Sequence, residues 1–117
     1  MSVVFRAGDL RHRIRIQQRA TTIDSAGGQS VVWTDVAAVK AAIEPLSGRE
    51  LLAAQAVRSA ISHTITVRWQ ALFADPQAAA ALRVVYGTRI FNIEAALNVD
   101  ERNRLVHMSA QEGLNNG

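Results

Sequence analysis

The first clear pattern in the chain is a strict alternation between residues 10 and 16. One side of an extended chain would carry apolar residues and a histidine, and the other only arginines: Leu10, His12, Ile14 and Ile16 against Arg11, Arg13 and Arg15. A period of two predicts a half-buried β-strand with one face toward a core. If the strand continues, Arg19 joins the arginine side.

The same alternation returns along most of the chain. It predicts strands over residues 31–33, 36–44, 61–69, 82–86, 89–95 and 104–110. A turn centred on Gly87 would join two of them in a hairpin. In 89–95 the uniformly apolar set is Phe91, Ile93 and Ala95, so we expect these three side chains to face the core.

Other segments interrupt the strand pattern. Residues 21–30 are polar and contain Gly27 and Gly28, which predicts a loop that forms a mobile hairpin tip. A run of good helix formers follows Ser47 and predicts a helix over about 47–58. Asp75-Pro76 is typical of a helix start and predicts a short helical turn over about 76–81.

Short strands with one inserted helix predict a mostly β fold, either a small antiparallel β-barrel or a sandwich. The 117 residues fit one domain, which we assign to 1–112, with 113–117 as a flexible C-terminal tail. The absence of cysteine excludes disulfides and cysteine-based zinc sites. No apolar stretch is long enough to cross a bilayer, so we expect a cytoplasmic protein of bacterial type.

Positive charge is concentrated near the N-terminus. The first 20 residues hold five arginines against Asp9, a net charge of +4, whereas the other 97 residues hold eight basic and nine acidic groups. Arginine binds carboxylates and phosphates through a rigid two-pronged fork. The arginine face of the first strand is therefore a candidate interaction surface.

Residues for catalysis or metal binding are few. His12, His63 and His107 lie on three different predicted strands, and hydrogen-bonded structural histidines are favoured over a zinc site. The chain has no G-x-S-x-G nucleophile elbow and no glycine-rich phosphate loop. We therefore expect no enzyme, with no catalytic residues, no metal ligands and no cofactor.

A small basic β-barrel that binds nucleic acid is the alternative class. Such barrels usually combine a basic groove with aromatic side chains that stack on the bases. Aromatic residues make up only 5% of this chain, and none alternates with the arginines of 11–15. The sequence thus offers groups for phosphate contact without a stacking platform beside them.

Six segments, in order, resemble the phage head–tail adaptor (head–tail joining, or head-completion) proteins of tailed bacteriophages and prophages. They are A-G-D-L-R-H-R-I at 7–14, G-G-Q…W-T-D at 27–35, A-A-I-E-P-L-S-G-R-E-L at 41–51, H-T-I-T-V-R-W at 63–69, R-V-V-Y-G-T-R-I-F-N-I at 83–93 and D-E-R-N-R-L at 100–105. The segment 41–51 carries the resemblance most strongly. Two features depart from the family: 70–82 is more helical and alanine-rich, and Ser109-Ala110 stand where a cysteine is often found.

The resemblance implies a structural morphogenesis protein, a β-barrel with a helical insertion that forms a connector or stopper ring between the DNA-filled head and the tail. Its implied partners are the portal or adaptor protein, tail components and further copies of itself, with a monomeric free subunit. Incidental contact with packaged DNA is implied, and no membrane. The implied locations are the host bacterial cytoplasm during assembly and the head–tail connector of the virion. The resemblance fits a portal-proximal adaptor, a stopper or a tail-proximal completion protein.

A head-to-tail ring needs two different, complementary surfaces on each subunit. Acidic residues such as Asp35, Glu44 or Glu50 could pair with the arginine face across subunits. The candidate interface residues come from that face, the 21–30 loop and the start of the helix: Arg11, Arg13, Arg15, Arg19, Asp24, Gly27, Gly28, Arg49 and Glu50.

Overall fold

Six antiparallel strands close into a β-barrel, which confirms the first of the two predicted architectures. The computed structural model describes residues 10–57, 60–75, 78 and 81–113. The elements are β1 (His12–Ile23), β2 (Gln29–Pro45), α1 (Gly48–Val57), β3 (His63–Arg68), β4 (Leu82–Tyr86), β5 (Arg89–Asn98) and β6 (Leu105–Gly113), with 3₁₀ turns at Ala71–Phe73 and Val99–Glu101.

Around the barrel the strand order is β1-β2-β3-β6-β5-β4, and β4 pairs back onto β1. Because each neighbouring pair is antiparallel, the connections fall alternately at the two ends. The β1–β2 hairpin, the β3–β4 connection and the β5–β6 turn share one end, which we call the hairpin end. Helix α1 and the β4–β5 turn share the other, the helix end.

The core lies inside the barrel, where the predicted apolar faces of the strands meet. Its fully buried large side chains are Ile14, Ile16, Ile65, Val67, Val84, Phe91, Val106 and Met108. Each contributes roughly 1.5–3 kcal/mol by leaving water. Phe73, carried by the β3–β4 connection, is also buried and closes the core at the hairpin end.

The prediction that Ala95 faces the core was wrong. Ile93 is opposite Ala110 and Ala95 is opposite Ser109, so β5 has one extra residue, Glu94, at this point. A bulge of this kind reverses which side chains point inward beyond it. Ala95 is consequently exposed, and Ala96 packs against the core instead.

The predicted loop at 21–30 was also too long. Residues 21–23 belong to β1 and residues 29 and 30 to β2, so that only 24–28 form the turn. The Asp24 carboxylate accepts hydrogen bonds from the amides of Ala26 (2.9 Å) and Gly28 (2.7 Å). A turn closed in this way brings the two strands into register as far as the pair of Ile23 and Gln29.

The predicted helix is confirmed as Gly48–Val57. The Ser47 carbonyl accepts a 3.4 Å hydrogen bond from the Leu51 amide. Among the described residues, no helix is long and apolar enough to cross a membrane. The predicted turn at 76–81 lies outside the described part of the chain except for residues 78 and 81, which share a backbone hydrogen bond of 3.1 Å. Gly113, predicted as the first residue of the tail, is instead the last residue of β6 and pairs with Ile90. The rest of the predicted tail, 114–117, lies outside the described residues.

Candidate assembly surface

The β1–β2 hairpin extends beyond the barrel as a two-stranded arm. β4 accompanies β1 only from Arg15 to Gln18, and β3 accompanies β2 only from Ala41 to Pro45. Beyond these points the two strands pair only with each other. We call residues 19–33 the arm. The molecule that carries it is elongated and measures 54 × 28 × 26 Å.

The arm leaves apolar side chains in water. Ile23 is 73% exposed, and Val31 and Val32 are exposed as well. Pairing of Thr21 with Val31 places Val31 on the same face as Arg19 and Ile23. A free-standing two-stranded ribbon is only marginally stable, and clustered exposed apolar residues often mark a contact surface. The arm therefore has the character of an interaction element.

The tip of the arm contains three of the predicted interface residues, Asp24, Gly27 and Gly28. Gly27 has a φ of 84°, which favours glycine. A Cβ atom on Gly28 would lie 2.8 Å from Oδ2 of Asp24, so a side chain there would displace the carboxylate that closes the turn. These residues set the shape of the tip.

A network of side chains, the root cluster, ties the arm to the barrel. Arg83 Nε donates to Gln17 Oε1 at 2.7 Å, and Gln17 Nε2 donates to Asp35 Oδ1 at 2.7 Å. Arg15 Nη1 lies 3.4 Å from Asp35 Oδ2, and the Arg83 guanidinium lies over the Trp33 ring. The cluster thus joins β4, β1 and β2 at the point where the arm begins.

The root cluster changes the expected role of Asp35. Its hydrogen bond from Gln17, together with the charge of Arg15, holds the pKa of the Asp35 carboxyl below its ordinary value. Asp35, anticipated as a partner for arginines of another subunit, contacts Arg15 of its own chain. Trp33 Nε1 is buried without a hydrogen-bond partner.

The predicted arginine face is present and broader than expected. Arg13 and Arg15 are exposed on the outside of β1, and Arg11, which immediately precedes the strand, is exposed as well. Arg13 is directly opposite Lys40 on β2, and Lys40 and Arg68 line one surface cleft. We call Arg13, Lys40 and Arg68 the basic row. Like charges placed opposite each other on a sheet destabilise it, so an anionic partner would relieve a cost present in the free subunit.

The structure divides the predicted interface residues among three places. The arginines of β1 lie on the barrel wall, and Arg19, Asp24, Gly27 and Gly28 lie on the arm. Arg49 and Glu50 are exposed on α1 at the opposite end. Sequence reasoning missed Lys40 and Arg68, although each alternates with inward-facing neighbours and so could have been placed on the outer face.

A cleft of about 380 Å³ opens at the hairpin end and was not anticipated. Its walls are Trp69, Phe73, Ala74, Ala96, Leu97, Asn98, Glu101 and Asn103. Leu97 is 60% exposed there. We call this the end cleft. Its rim is held by Asn98, whose side chain donates to Asn103 Oδ1 at 2.6 Å and accepts from the Asn103 amide at 3.0 Å.

Each histidine is hydrogen-bonded to a hydroxyl group, as the favoured interpretation predicted. In each pair Nδ1 of the histidine lies within hydrogen-bond distance of the hydroxyl oxygen: His12 with Tyr86 at 2.9 Å, His63 with Ser62 at 2.8 Å and His107 with Thr66 at 2.7 Å. Burial lowers the pKa of His63 and of His107. Within the described residues no group of three or more potential ligands is placed to hold a metal ion.

Comparison with known proteins identifies a family model that matches this chain and solved structures that share its fold. A family model described as phage head completion protein matches residues 5–113. The solution structure of protein SF1141 from Shigella flexneri 2a is similar, with a TM-score of 0.71, 26% identity, and coverage of 93% of this chain and 97% of that one. A chain in the virion of a native gene transfer agent particle shares the fold, with a TM-score of 0.57 and 20% identity over 91% of this chain and 97% of that one. Among curated proteins no sequence matches.

Proposed function

Because this chain belongs to the phage head completion protein family, we propose that it joins the DNA-filled head to the tail as one subunit of a connector ring at the portal. Membership of the family indicates a structural role at the phage head and a protein without enzymatic activity. The proposal adds the joining step, the ring, and the portal or adaptor protein and tail components as partners. Assembly would take place in the host cytoplasm.

The projecting arm is the observation that carries the proposal. A connector subunit must contact two different bodies, and this molecule has two unlike ends. The hairpin end bears an apolar arm, with Ile23 and Val31 in water, whereas the helix end bears α1 and the β4–β5 turn. Such a polarity suits a subunit that binds the head on one side and the tail on the other.

The basic row supplies a second contact in this proposal. Arg13, Lys40 and Arg68 lie side by side on the wall of the barrel rather than at an end. An acidic surface on the portal, the tail or a neighbouring subunit would offset their mutual repulsion. Charge pairs of this kind direct encounter and orientation more than they add affinity.

Complementation of a phage that lacks the gene tests the joining function. In the test variant, residues 21–23 and 29–31 are deleted, which sets the intact 24–28 turn directly on the pair of Ala20 and Val32. We expect filled heads and separate tails to accumulate, with infectious titre reduced at least a hundredfold. Leu52→Ser, on exposed α1 at the other end, is the matched control. A normal titre from the shortened arm would refute the role of the arm.

Electron microscopy of the same lysates tests the ring. We expect wild-type protein to form a ring at the base of the portal complex and the short-arm variant to leave that base bare. If a phage lacking the gene still joins its heads to tails, the joining function is wrong whatever the arm does.

The basic row also favours the second candidate function, a barrel that binds nucleic acid. Trp33, the aromatic residue at the arm root, has its face covered by Arg83, which argues against base stacking there. Titration with duplex and single-stranded DNA at two salt concentrations separates the candidates. Phosphate-driven binding weakens steeply with salt, and Arg13→Glu with Lys40→Glu should abolish it. We expect binding to portal or tail components instead, with no comparable affinity for free DNA.

A further inference from the structure

We propose that the arm of one subunit docks into the end cleft of the next copy of the same chain. The inference rests on the proposed ring and names the contact that closes it. Two observations motivate it: an arm that leaves apolar side chains in water, and a cleft whose exposed apolar wall is not covered by any of the residues that the structure describes.

The two surfaces are complementary in chemistry. One face of the arm carries Ile23 and Val31 together with the cation Arg19. The end cleft offers apolar walls from Trp69, Phe73 and Leu97, with the carboxylate of Glu101 at the rim. Docking would remove both apolar surfaces from water and bring Arg19 toward Glu101.

The placement of the two surfaces requires a second molecule. The root cluster ties the base of the arm to β4, and beyond Gln18 the strand β1 pairs only with β2. The strand from Gln18 to Ile23 spans about 17 Å at the usual rise per residue. The end cleft is lined by the β3–β4 connection, the end of β5 and the β5–β6 turn and by no residue of the two strands that form the arm, so we assign its occupant to a neighbouring copy.

A ring of parallel subunits satisfies the same geometry. The arm and the end cleft lie at the same end of the barrel, so side-by-side copies need no inversion for one arm to cross the end of its neighbour. The two shorter dimensions of the molecule are 28 and 26 Å, and an arm strand of about 17 Å with its tip turn would cover a large part of such a width on a neighbouring copy. The contact joins two different surfaces, and such heterologous contacts close into rings when the rotation allows.

Disulfide trapping tests the contact directly, because the chain contains no cysteine. The variant Ile23→Cys with Leu97→Cys is supplied to a phage lacking the gene, and joined particles are purified under reducing conditions and then oxidised. We expect a ladder of covalent multimers on a non-reducing gel. In Ile23→Cys with Leu52→Cys, the second cysteine replaces a residue that is more exposed than Leu97 (71% against 60%) but lies at the helix end, and we expect at least tenfold less multimer.

Joined particles that contain the double variant but yield no ladder above this control would overturn the inference. Cross-linking of Ile23→Cys to a portal or tail protein instead would overturn it as well. Either result leaves the joining function intact, because infectious titre reports joining and the gel reports the arm and cleft.

Charge reversal gives an independent measurement that also serves if the cysteine variants do not assemble. Arg19→Glu and Glu101→Arg should each lower infectious titre at least tenfold. Combined in one chain, they should recover most of it, since the pair is restored with opposite polarity. Failure of the double variant to recover, with each single variant still folded, contradicts the contact.

Discussion

The guanidinium carbon of Arg83 lies 4.2 Å from the centroid of the Trp33 ring. Arg83 belongs to β4 and Trp33 to β2, and these strands are separated in the barrel by β1. The contact therefore spans β1 at the level where the arm begins. A cation–π contact at such a site is worth about 0.5–1 kcal/mol. The direction of the arm is thus set by the barrel and not by the hairpin alone.

Replacement of Trp33 separates the two roles of this side chain. Trp33→Ala should loosen the arm, seen as faster amide hydrogen exchange in 19–33 with little change in β5 and β6. Trp33→Phe keeps an aromatic face for Arg83 and removes the unpartnered Nε1 donor. We expect it to be neutral or up to about 1 kcal/mol more stable in urea unfolding. Equal exchange in the two variants would contradict this assignment.

Gln17 is the central residue of the root cluster. Its side chain makes two hydrogen bonds of 2.7 Å, and the residue is only 7% exposed. Gln17→Leu should cost about 0.5–1.5 kcal/mol, because Arg83 and Asp35 each lose a part-buried hydrogen bond that water replaces only in part. Gln18→Leu, at an exposed position of the same strand, is the control and should stay within about 0.5 kcal/mol. Chemical denaturation of the two variants checks the difference.

The histidines predict a loss of stability in mild acid. Burial lowers the pKa of His63 and of His107 from the ordinary value of 6.5. Below pH 6.5 the unfolded chain therefore binds protons that the folded chain does not, and the free energy of unfolding falls as pH falls toward the folded pKa values. Above about pH 7.5 this contribution is fully present.

The decline caused by the histidines is separated in pH from the loss of the neighbouring Arg89–Glu112 ion pair. Glu112 and Arg89 face His63, and Glu44 acts on His107. The Arg89 hydrogen bond lowers the pKa of Glu112 from 4.5, so the stability that this pair contributes is lost only at still lower pH. Urea unfolding at pH 7.5, 6.5 and 5.5 should show the decline, and His63→Gln with His107→Gln should flatten it. An unchanged slope in the double variant would rule out these two groups as its cause.

The arm tip offers a double-mutant cycle. Gly28→Ala places a Cβ atom against the Asp24 carboxylate, so we expect a loss of about 1 kcal/mol from displacement of the hydrogen bonds that close the turn. In an Asp24→Ala background, the same change should cost almost nothing, because the opposing atoms are gone. Thermal unfolding of the four proteins measures the coupling. Additive effects would show that the clash does not govern the tip.

The faces of the strands could be predicted from sequence because a period of two depends only on local chain geometry. The orientation of Ala95 could not be predicted in this way, because it follows from a bulge that exists only in the pairing of β5 with β6. The polar character of 21–30 correctly marked a hairpin tip, but polarity does not reveal that Asp24 closes the turn so tightly. Each of these errors arose where a partner strand or a side-chain cap decided the local structure.

Of the candidate surfaces, too, one could be predicted from the sequence and the others could not. The arginine face of β1 was visible in the spacing of Arg11, Arg13 and Arg15. The basic row was not, because the alignment of Arg13 with Lys40 depends on the register of the hairpin. The arm and the end cleft arise from where β3, β4 and the β5–β6 turn stop, which is a property of the assembled barrel.

The seam between β1 and β4 also has a consequence for how quickly the subunit folds. It pairs residues 15–18 with residues 82–85, across most of the chain, whereas the arm joins near neighbours in sequence. Contacts between distant residues form slowly because a long loop must first be closed, and barrels of this kind fold over milliseconds to seconds. The β1–β2 hairpin can form early, but Arg83 cannot contact Trp33 and Gln17 until β4 has paired with β1. Until β1 and β4 pair, a newly made chain has unpaired strand edges that other copies can bind. The rate at which this seam closes would therefore determine what fraction of the protein aggregates during rapid synthesis.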